Sequence, residues 1–272
     1  MTNNPNKKID FELLSQKLFQ EQNKIRTDPK SYIPKLKTWL TKFRQNTLYL
    51  LNENPLRTFE GPSAVNEAIS FLSNQRALPA YEYSKELSEA AEDHVKDIGK
   101  NGLTSHEGSD GKNLTDRIEK YIEWDGACAE SLDFGFVEAD NIIINLLIDD
   151  GIKERYQRKN LFSSVYKYCG IGIGKHRDFN TCAVFVYCKG LRELGKPPID
   201  GINYIQDYIQ KTFYKKKIVN DYQEEDPDAP DDTISVKIEK TNKIVNGKEK
   251  KITKKIYLLK DQTQYILEIE EN

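Results

Sequence analysis

The chain is short of the features that settle a protein's class at a glance. Its 272 residues hold one methionine, three histidines and four cysteines. The cysteines, at 128, 169, 182 and 188, have no Cys-x-x-Cys spacing, which excludes a zinc-finger or ferredoxin-like ligand set. No apolar run approaches the ~18 residues needed to cross a bilayer, so no membrane span is expected. The opening residues, Met-Thr-Asn-Asn-Pro-Asn-Lys-Lys, lack the apolar stretch of a secretory leader. Reduced thiols and a cytoplasmic setting follow as expectations. With 41 basic and 43 acidic residues the net charge is −2, and no basic field points to nucleic acid as a partner.

Against these absences stand clear periodic segments. Phe11, Leu14, Leu18 and Ile25 recur at helical spacing behind Asp10, and the pattern stops at Asp28-Pro29, where proline cannot continue a helix. Asn23 and Arg26 read from spacing as surface residues near that helix end. Tyr32 to Phe43 suggest a short amphipathic helix. Val65, Ala68, Ile69 and Leu72 follow the Gly61-Pro62-Ser63 break at helical spacing. Ser84 caps the clearest helix, whose apolar face carries Leu87, Ala91, His94, Val95 and Ile98. Within that face His94 reads as a core histidine. Residues 113–121 predict a short helix, Trp124-Asp125-Gly126 a turn, and Glu138 to Ile148 a buried helix. Two strands are predicted over 165–174 and 181–189, joined by a polar connection in which His176 reads as solvated. The glycines of the first strand point to backbone packed closely beneath a helix, and the cysteines to small core residues.

Chemistry concentrates between residues 101 and 160. The Gly/Asp-rich run Thr104-Ser105-His106-Glu107-Gly108-Ser109-Asp110-Gly111 offers an imidazole on a tightly turning loop, and Cys128-Ala129-Glu130-Ser131-Leu132 offers a carboxylate. Imidazole and carboxylate suit a zinc-like ion, but such a site takes three or four ligands, and these are two. The reading that uses no metal is a polar network in which His106 and Glu130 hydrogen-bond across a cleft.

The ordered series resembles the CAP superfamily, the SCP/PR-1-like fold. It runs through Leu87-Ser88-Glu89-Ala90-Ala91-Glu92-Asp93-His94, Ser105 to Gly111, Glu130, Arg155-Tyr156-Gln157-Arg158-Lys159-Asn160-Leu161 and Tyr168-Cys169-Gly170-Ile171-Gly172. Asn23 and Arg26 followed by Asp28-Pro29 resemble the family's opening helix. The resemblance implies an α+β fold, an α-β-α sandwich, and a central cleft in which two histidines and one or two acids can hold a divalent metal. His106 stands at the first histidine and Glu130 at the first acid. Gln157 stands where the second histidine would be, and Asp149 and Asp150 are nearest to the second acid. With that ligand replaced by an amide, the cleft candidates are His106, Glu130 and Gln157, and no catalytic residue and no cofactor, zinc included, is expected.

Four segments are expected: an N-terminal helical segment at 1–60, a CAP core at 61–195, a helical segment with an acidic linker at 196–232, and an appendage at 233–272. Tyr204, Ile205, Tyr208, Ile209 and Phe213 suggest one or two amphipathic turns in the third. In the fourth, period-two alternation at 234–238 and 252–258, Asn246-Gly247 and an Asp261-Gln262 turn before Tyr265 to Ile269 predict a three-stranded antiparallel β-meander. Lysines at 248, 250, 251, 254 and 255 are expected to keep one face wet. Three strands bury too little alone, so the meander must lie on the core, a second copy or a larger assembly. The function expected is a non-catalytic protein-interaction or structural module with protein partners, in a cytoskeletal, ciliary or microtubule-associated assembly. The alternatives are a sterol or lipid carrier, and a metal-assisted hydrolase using His106 and Glu130.

Overall fold

Asp10 opens the fold by accepting the Leu13 N–H at 3.0 Å and so capping helix α1 (Phe11–Thr27). The computed structural model describes residues 9–51, 54–194, 217–219, 233–245, 248–259 and 264–271. A single 3-10 turn at Pro29–Tyr32 leads into α2 (Ile33–Leu40). Three two-residue strands, β1 (Phe43–Arg44), β2 (Thr47–Leu48) and β3 (Leu56–Arg57), form a small sheet ahead of α3 (Pro62–Asn74). The core domain continues through β4 (Glu82–Tyr83), α4 (Lys85–Asn101), α5 (Leu114–Ile118), β5 (Glu123–Phe134), α6 (Ala139–Ile148), α7 (Tyr156–Leu161), β6 (Tyr168–His176) and β7 (Asn180–Arg192).

The central sheet has the order β4-β6-β7-β5, with β4 parallel to β6 and the other pairs antiparallel. Alternation along β6 and β7 divides the interior in two. Ile171, Ile173, Phe185 and Tyr187 face a core shared with α1, α2, α3 and α6. Val184, Val186 and Cys188 face a second core with α4 and α5. The result is a three-layer α-β-α sandwich. Glycines 170, 172 and 174 let α4 lie directly on β6; a Cβ at Gly170 would stand 2.2 Å from the Ser88 nitrogen. All four cysteines are buried free thiols.

Several expectations fail for physical reasons. Asn23 is half-buried and does more than sit at the surface: its side chain brackets Tyr81, donating to the Tyr81 carbonyl at 3.0 Å and accepting the Tyr81 N–H at 2.8 Å. Arg26 is buried, its guanidinium 3.5 Å from the Tyr81 ring centroid and bonded to the carbonyls of Pro79 and Leu161. Trp124-Asp125-Gly126 is not a turn but the start of β5, with a register shift between Asp125 and Cys128 and Gly126 at φ 79°. His176 is 3% exposed, held by the Leu103 carbonyl and by the N–H groups of Asp178 and Phe179.

The appended sheet has four strands, not three, in the order β11-β10-β9-β8. Beside β9 (Thr233–Val245), β10 (Lys248–Leu259) and β11 (Gln264–Glu271), the extra strand is β8 (Lys217–Val219), which pairs antiparallel with β9. Three residues beside a lysine run are too few to show a period in sequence. The turns expected at Asn246-Gly247 and Asp261-Gln262, the amphipathic turns and the acidic linker lie outside the described residues. Lys254 is not wet either. Ile252, Thr253 and Lys254 are buried, and the Lys254 ammonium bonds the Thr115 hydroxyl, lies 4.8 Å from the Trp124 ring centroid and 4.0 Å from the Glu119 carboxylate. An ammonium over indole, tied to a hydroxyl, replaces the water it gives up. The appended sheet therefore docks on the core at α5 and β5.

Candidate functional site

The cluster of interest lies between β5 and the α4–α5 layer. Glu130 is on the β5 face that carries Cys128 and Leu132, and only 1% of it is exposed. His106 comes from the loop after α4, which leaves the helix through Gly102 in a left-handed cap (φ 68°). Its Nδ1 stands 2.7 Å from Glu130 Oε1. A carboxylate only accepts, so Nδ1 carries the proton and donates it. Arg117 of α5 supplies the third member: its Nη2 donates to Glu130 Oε2 at 2.6 Å, and its Nη1 donates to the carbonyls of His106 and Lys112, both at 3.1 Å. Helix α5 is fixed by a reciprocal cap in which Asn113 accepts from the Thr115 and Asp116 N–H groups and Asp116 accepts the Asn113 N–H.

The fourth member is His94 of α4, fully buried, with Nε2 2.9 Å from the Ser105 carbonyl and 3.7 Å from Glu130 Oε1. The carbonyl requires Nε2 to be the protonated nitrogen. Nδ1 then holds a bare lone pair, and neither it nor Arg117 Nε has a hydrogen-bond partner among the described residues. His94 is thus a half-satisfied histidine at the edge of a charged cluster, more than a packing residue.

The electrostatics follow from the neighbours. Burial alone would raise the Glu130 pKa, but the Arg117 charge, then His94 and the His106 bond, outweigh it and hold the carboxyl well below the usual carboxylate range. Burial lowers the His94 pKa, and Arg117 and His106 add to that against the pull of Glu130. The neutral ring is therefore favoured in the fold. A histidine with a depressed folded pKa leaves the unfolded chain binding more protons, so its contribution is complete above the unfolded value of about 6.5 and declines as pH falls through that window. Thermal melts should hold level above about pH 7 and decline towards pH 5, with a further decline below about 4.3 as Glu130 makes its contribution felt. His94→Gln, which keeps a donor towards Ser105, should flatten the first decline and leave the second.

Of the three residues singled out from sequence, His106 and Glu130 meet, while Gln157 is engaged elsewhere. β5 is the end strand of its sheet, and α7 covers the outer edge. Gln157 Oε1 accepts the Leu132 N–H at 3.0 Å, and Asn160 Nδ2 donates to the Glu130 carbonyl at 3.2 Å. Two side chains three residues apart on one helix thus stand in for a missing neighbour strand. Asp149 accepts the Gln157 N–H, and Asp150 accepts the N–H groups of Phe59 and Glu60. Neither bonds His106 or Glu130 in these pairings. Arg117 was missed in sequence. Its signal was there: it falls between Leu114, Ile118 and Tyr121 at i, i+3, i+4 and i+7, a charge inside an apolar stripe.

This donor set does not fit a divalent metal. Both oxygens of Glu130 are already bonded, one to a guanidinium whose positive charge opposes a cation at the same carboxylate. Among the described residues no three His, Cys, Asp or Glu side chains converge as ligands.

No curated protein matches the chain. One solved structure with which it shares a likeness is an extracellular protein containing an SCP domain from Bacillus anthracis str. Ames, at 18% identity and a TM-score of 0.35, covering 46% of this chain; the chain spans 38% of that protein's length. Another is an outer surface protein from Borrelia burgdorferi, at 17% identity and a TM-score of 0.40, covering 66% of this chain and 96% of that one. The profile of the cysteine-rich secretory protein family, CAP, matches residues 20–189, more than half of the sequence and nearly the whole span from α1 to β7 that builds the sandwich and its buried cluster, and the chain belongs to that family.

Proposed function

We propose that this chain is a non-catalytic CAP-domain protein that works as a protein-interaction or structural module. The observation that supports the reading is the saturation of Glu130. One carboxylate oxygen accepts from His106 and the other from Arg117, in a cluster closed to solvent. A general base needs an accessible lone pair of suitable basicity. Here both oxygens of the carboxylate behind His106 are taken, one of them by the Arg117 guanidinium. The cluster instead ties three separate pieces, the loop after α4, α5 and β5, into one unit. The same α5 and β5 receive the appended sheet through Lys254, so the CAP core and the appendage present a joint surface.

The test pairs two measurements on the full chain. Metal analysis of protein equilibrated with zinc should find well under one equivalent. Recovery of binding proteins from lysate should give the same set for the wild type and for Arg117→Leu/Glu130→Gln, which removes both buried charges together. Stoichiometric zinc released by His106→Ala would overturn the reading. So would hydrolysis of a generic ester substrate by the wild type that the double variant loses.

A further inference from the structure

Past β4 the outer edge of the central sheet is only partly covered: the Arg177 N–H, just beyond β6, donates to the Gly99 carbonyl of α4 at 2.9 Å, and the gap lies between there and Ile171. β4 meets β6 only at Glu82 opposite Tyr168 and Tyr83 opposite Cys169, whereas β6 runs on to His176. On its other side β6 faces β7, with Gly170 opposite Val186, Gly172 opposite Val184 and Gly174 opposite Cys182. In an antiparallel ladder, alternate residues turn both main-chain groups outward. Two hydroxyls identify which ones. The Ile171 N–H donates to Ser88 Oγ of α4 at 3.1 Å, and Ser15 Oγ of α1 donates to the Ile171 carbonyl at 3.0 Å. Two residues on, Ile173 repeats the outward-facing pair, and there the N–H and carbonyl have no hydrogen-bond partner among the described residues.

This edge forms the floor of a groove of about 1700 Å³, walled by α1 and α4 and bounded by Tyr83 at one end and by residues 175–180 at the other. Phe11, Phe19 and Val95 give the walls apolar surface, with Phe19 edge-on to Tyr83 at 5.4 Å. The charges on the rim are uneven. Lys96 pairs with Glu92, and Arg177 with Asp178. Lys100 and Lys175, at the end away from Tyr83, are exposed and have no carboxylate partner among the described residues.

We propose that this groove takes an extended peptide segment of a protein partner, laid beside β6 as an added strand, with apolar side chains against Phe11 and Phe19 and an acidic side chain at Lys100 and Lys175. An added strand supplies the acceptor and donor that Ile173 lacks, and alternate side chains reach the two helical walls. A lipid chain would fill the same volume but leave those main-chain groups dehydrated without a partner, at a cost.

The probe is an N-acetylated, C-amidated, fluorescein-tagged heptapeptide of alternating threonine and valine that ends in two aspartates, titrated into the full chain by fluorescence anisotropy. Saturable binding is expected. N-methylation of alternate peptide amides, which removes donors and leaves the side chains, should weaken it by about three- to tenfold, the effect of losing the hydrogen bond to the Ile173 carbonyl. Lys100→Glu/Lys175→Glu, changes confined to exposed side chains, should weaken the aspartate peptide and favour one ending in two lysines. Failure of the parent peptide to saturate by about 1 mM, or equal binding of the methylated peptide, would overturn the proposal. A dansylated fatty acid that binds, and that the peptide does not displace, would overturn it in favour of lipid.

Discussion

Arg117→Leu should lower the stability of the chain by about 3–5 kcal/mol, the range for removing one partner of a buried ion pair. The cost comes less from the lost attraction than from what remains. Glu130 is 1% exposed and would keep its charge with one oxygen unmet, while the carbonyls of His106 and Lys112 would lose their donor. The cause gives the variant a pH signature. Without Arg117 the largest influence holding down the carboxyl's folded pKa is gone, and only His94 and the His106 bond still oppose burial, so the pKa moves up from its depressed position. A less depressed folded pKa contributes less stability above the unfolded value of about 4.3, and that contribution is lost in wild type and variant alike as pH falls. The deficit against wild type should therefore be largest near neutrality and shrink in acid. Adding Glu130→Gln should recover most of the loss, since a neutral amide can still accept from His106 and carries no stranded charge. Urea melts of the two single variants and the double variant give the coupling directly. A loss below about 1 kcal/mol for Arg117→Leu, typical of exposed pairs, would mean that solvent reaches the cluster.

Arg117 also marks where reading the sequence stops. The helices were legible because each buries one stripe: α1, α3, α4 and α6 all fall where apolar spacing puts them. His106 and Glu130 could be paired because the ordered motifs around them are specific to one family. β5 was not legible. Residues 128–133 are buried on both faces, so the period of two that announces a half-exposed strand is missing. Without β5 there was no reason to foresee that its outer edge needed Gln157 and Asn160, and Gln157 looked like a vacated ligand position when its amide serves the Leu132 N–H. Lys254 failed for a related reason. A lysine in an alternating strand reads as solvent-facing until something on the other side, here Trp124 and Thr115, accepts its ammonium. For Gln157 and Lys254 the deciding contact joins residues far apart in the chain, and local pattern carries no trace of it, whereas Arg117 left one as a charge inside an apolar stripe.

The same α4 that places His94 rests on bare glycine, and this gives the second large effect. Gly170→Ala should destabilise the fold by about 3 kcal/mol, the upper end of what overpacking a closed core costs. The added Cβ would lie 2.2 Å from the Ser88 nitrogen and 2.3 Å from the Leu87 carbonyl carbon, both main-chain atoms of α4 that no rotamer change can move. Gly172→Ala should cost nearly as much, with the Glu92 nitrogen at 2.6 Å and the Ala91 carbonyl carbon at 2.7 Å. Gly174→Ala meets only Val95 Cγ1, at 2.7 Å, a buried side-chain atom that must shift but belongs to no main chain. Exchanging glycine for alanine also removes unfolded-state freedom worth about 0.4–1 kcal/mol. That gain is too small to offset a main-chain collision and offsets only part of a single side-chain contact, so Gly174→Ala should cost the least of the three in urea melts. The ranking carries a second readout. If α4 lifts from β6 as a rigid piece, His94 withdraws from Glu130 and the Ile171 N–H loses Ser88 Oγ. The His94 ring resonances and the exchange of the Ile171 amide should then shift together in Gly170→Ala and stay in place in Gly174→Ala. Equal losses for all three variants would show that strand propensity, and not the seating of α4, sets the cost.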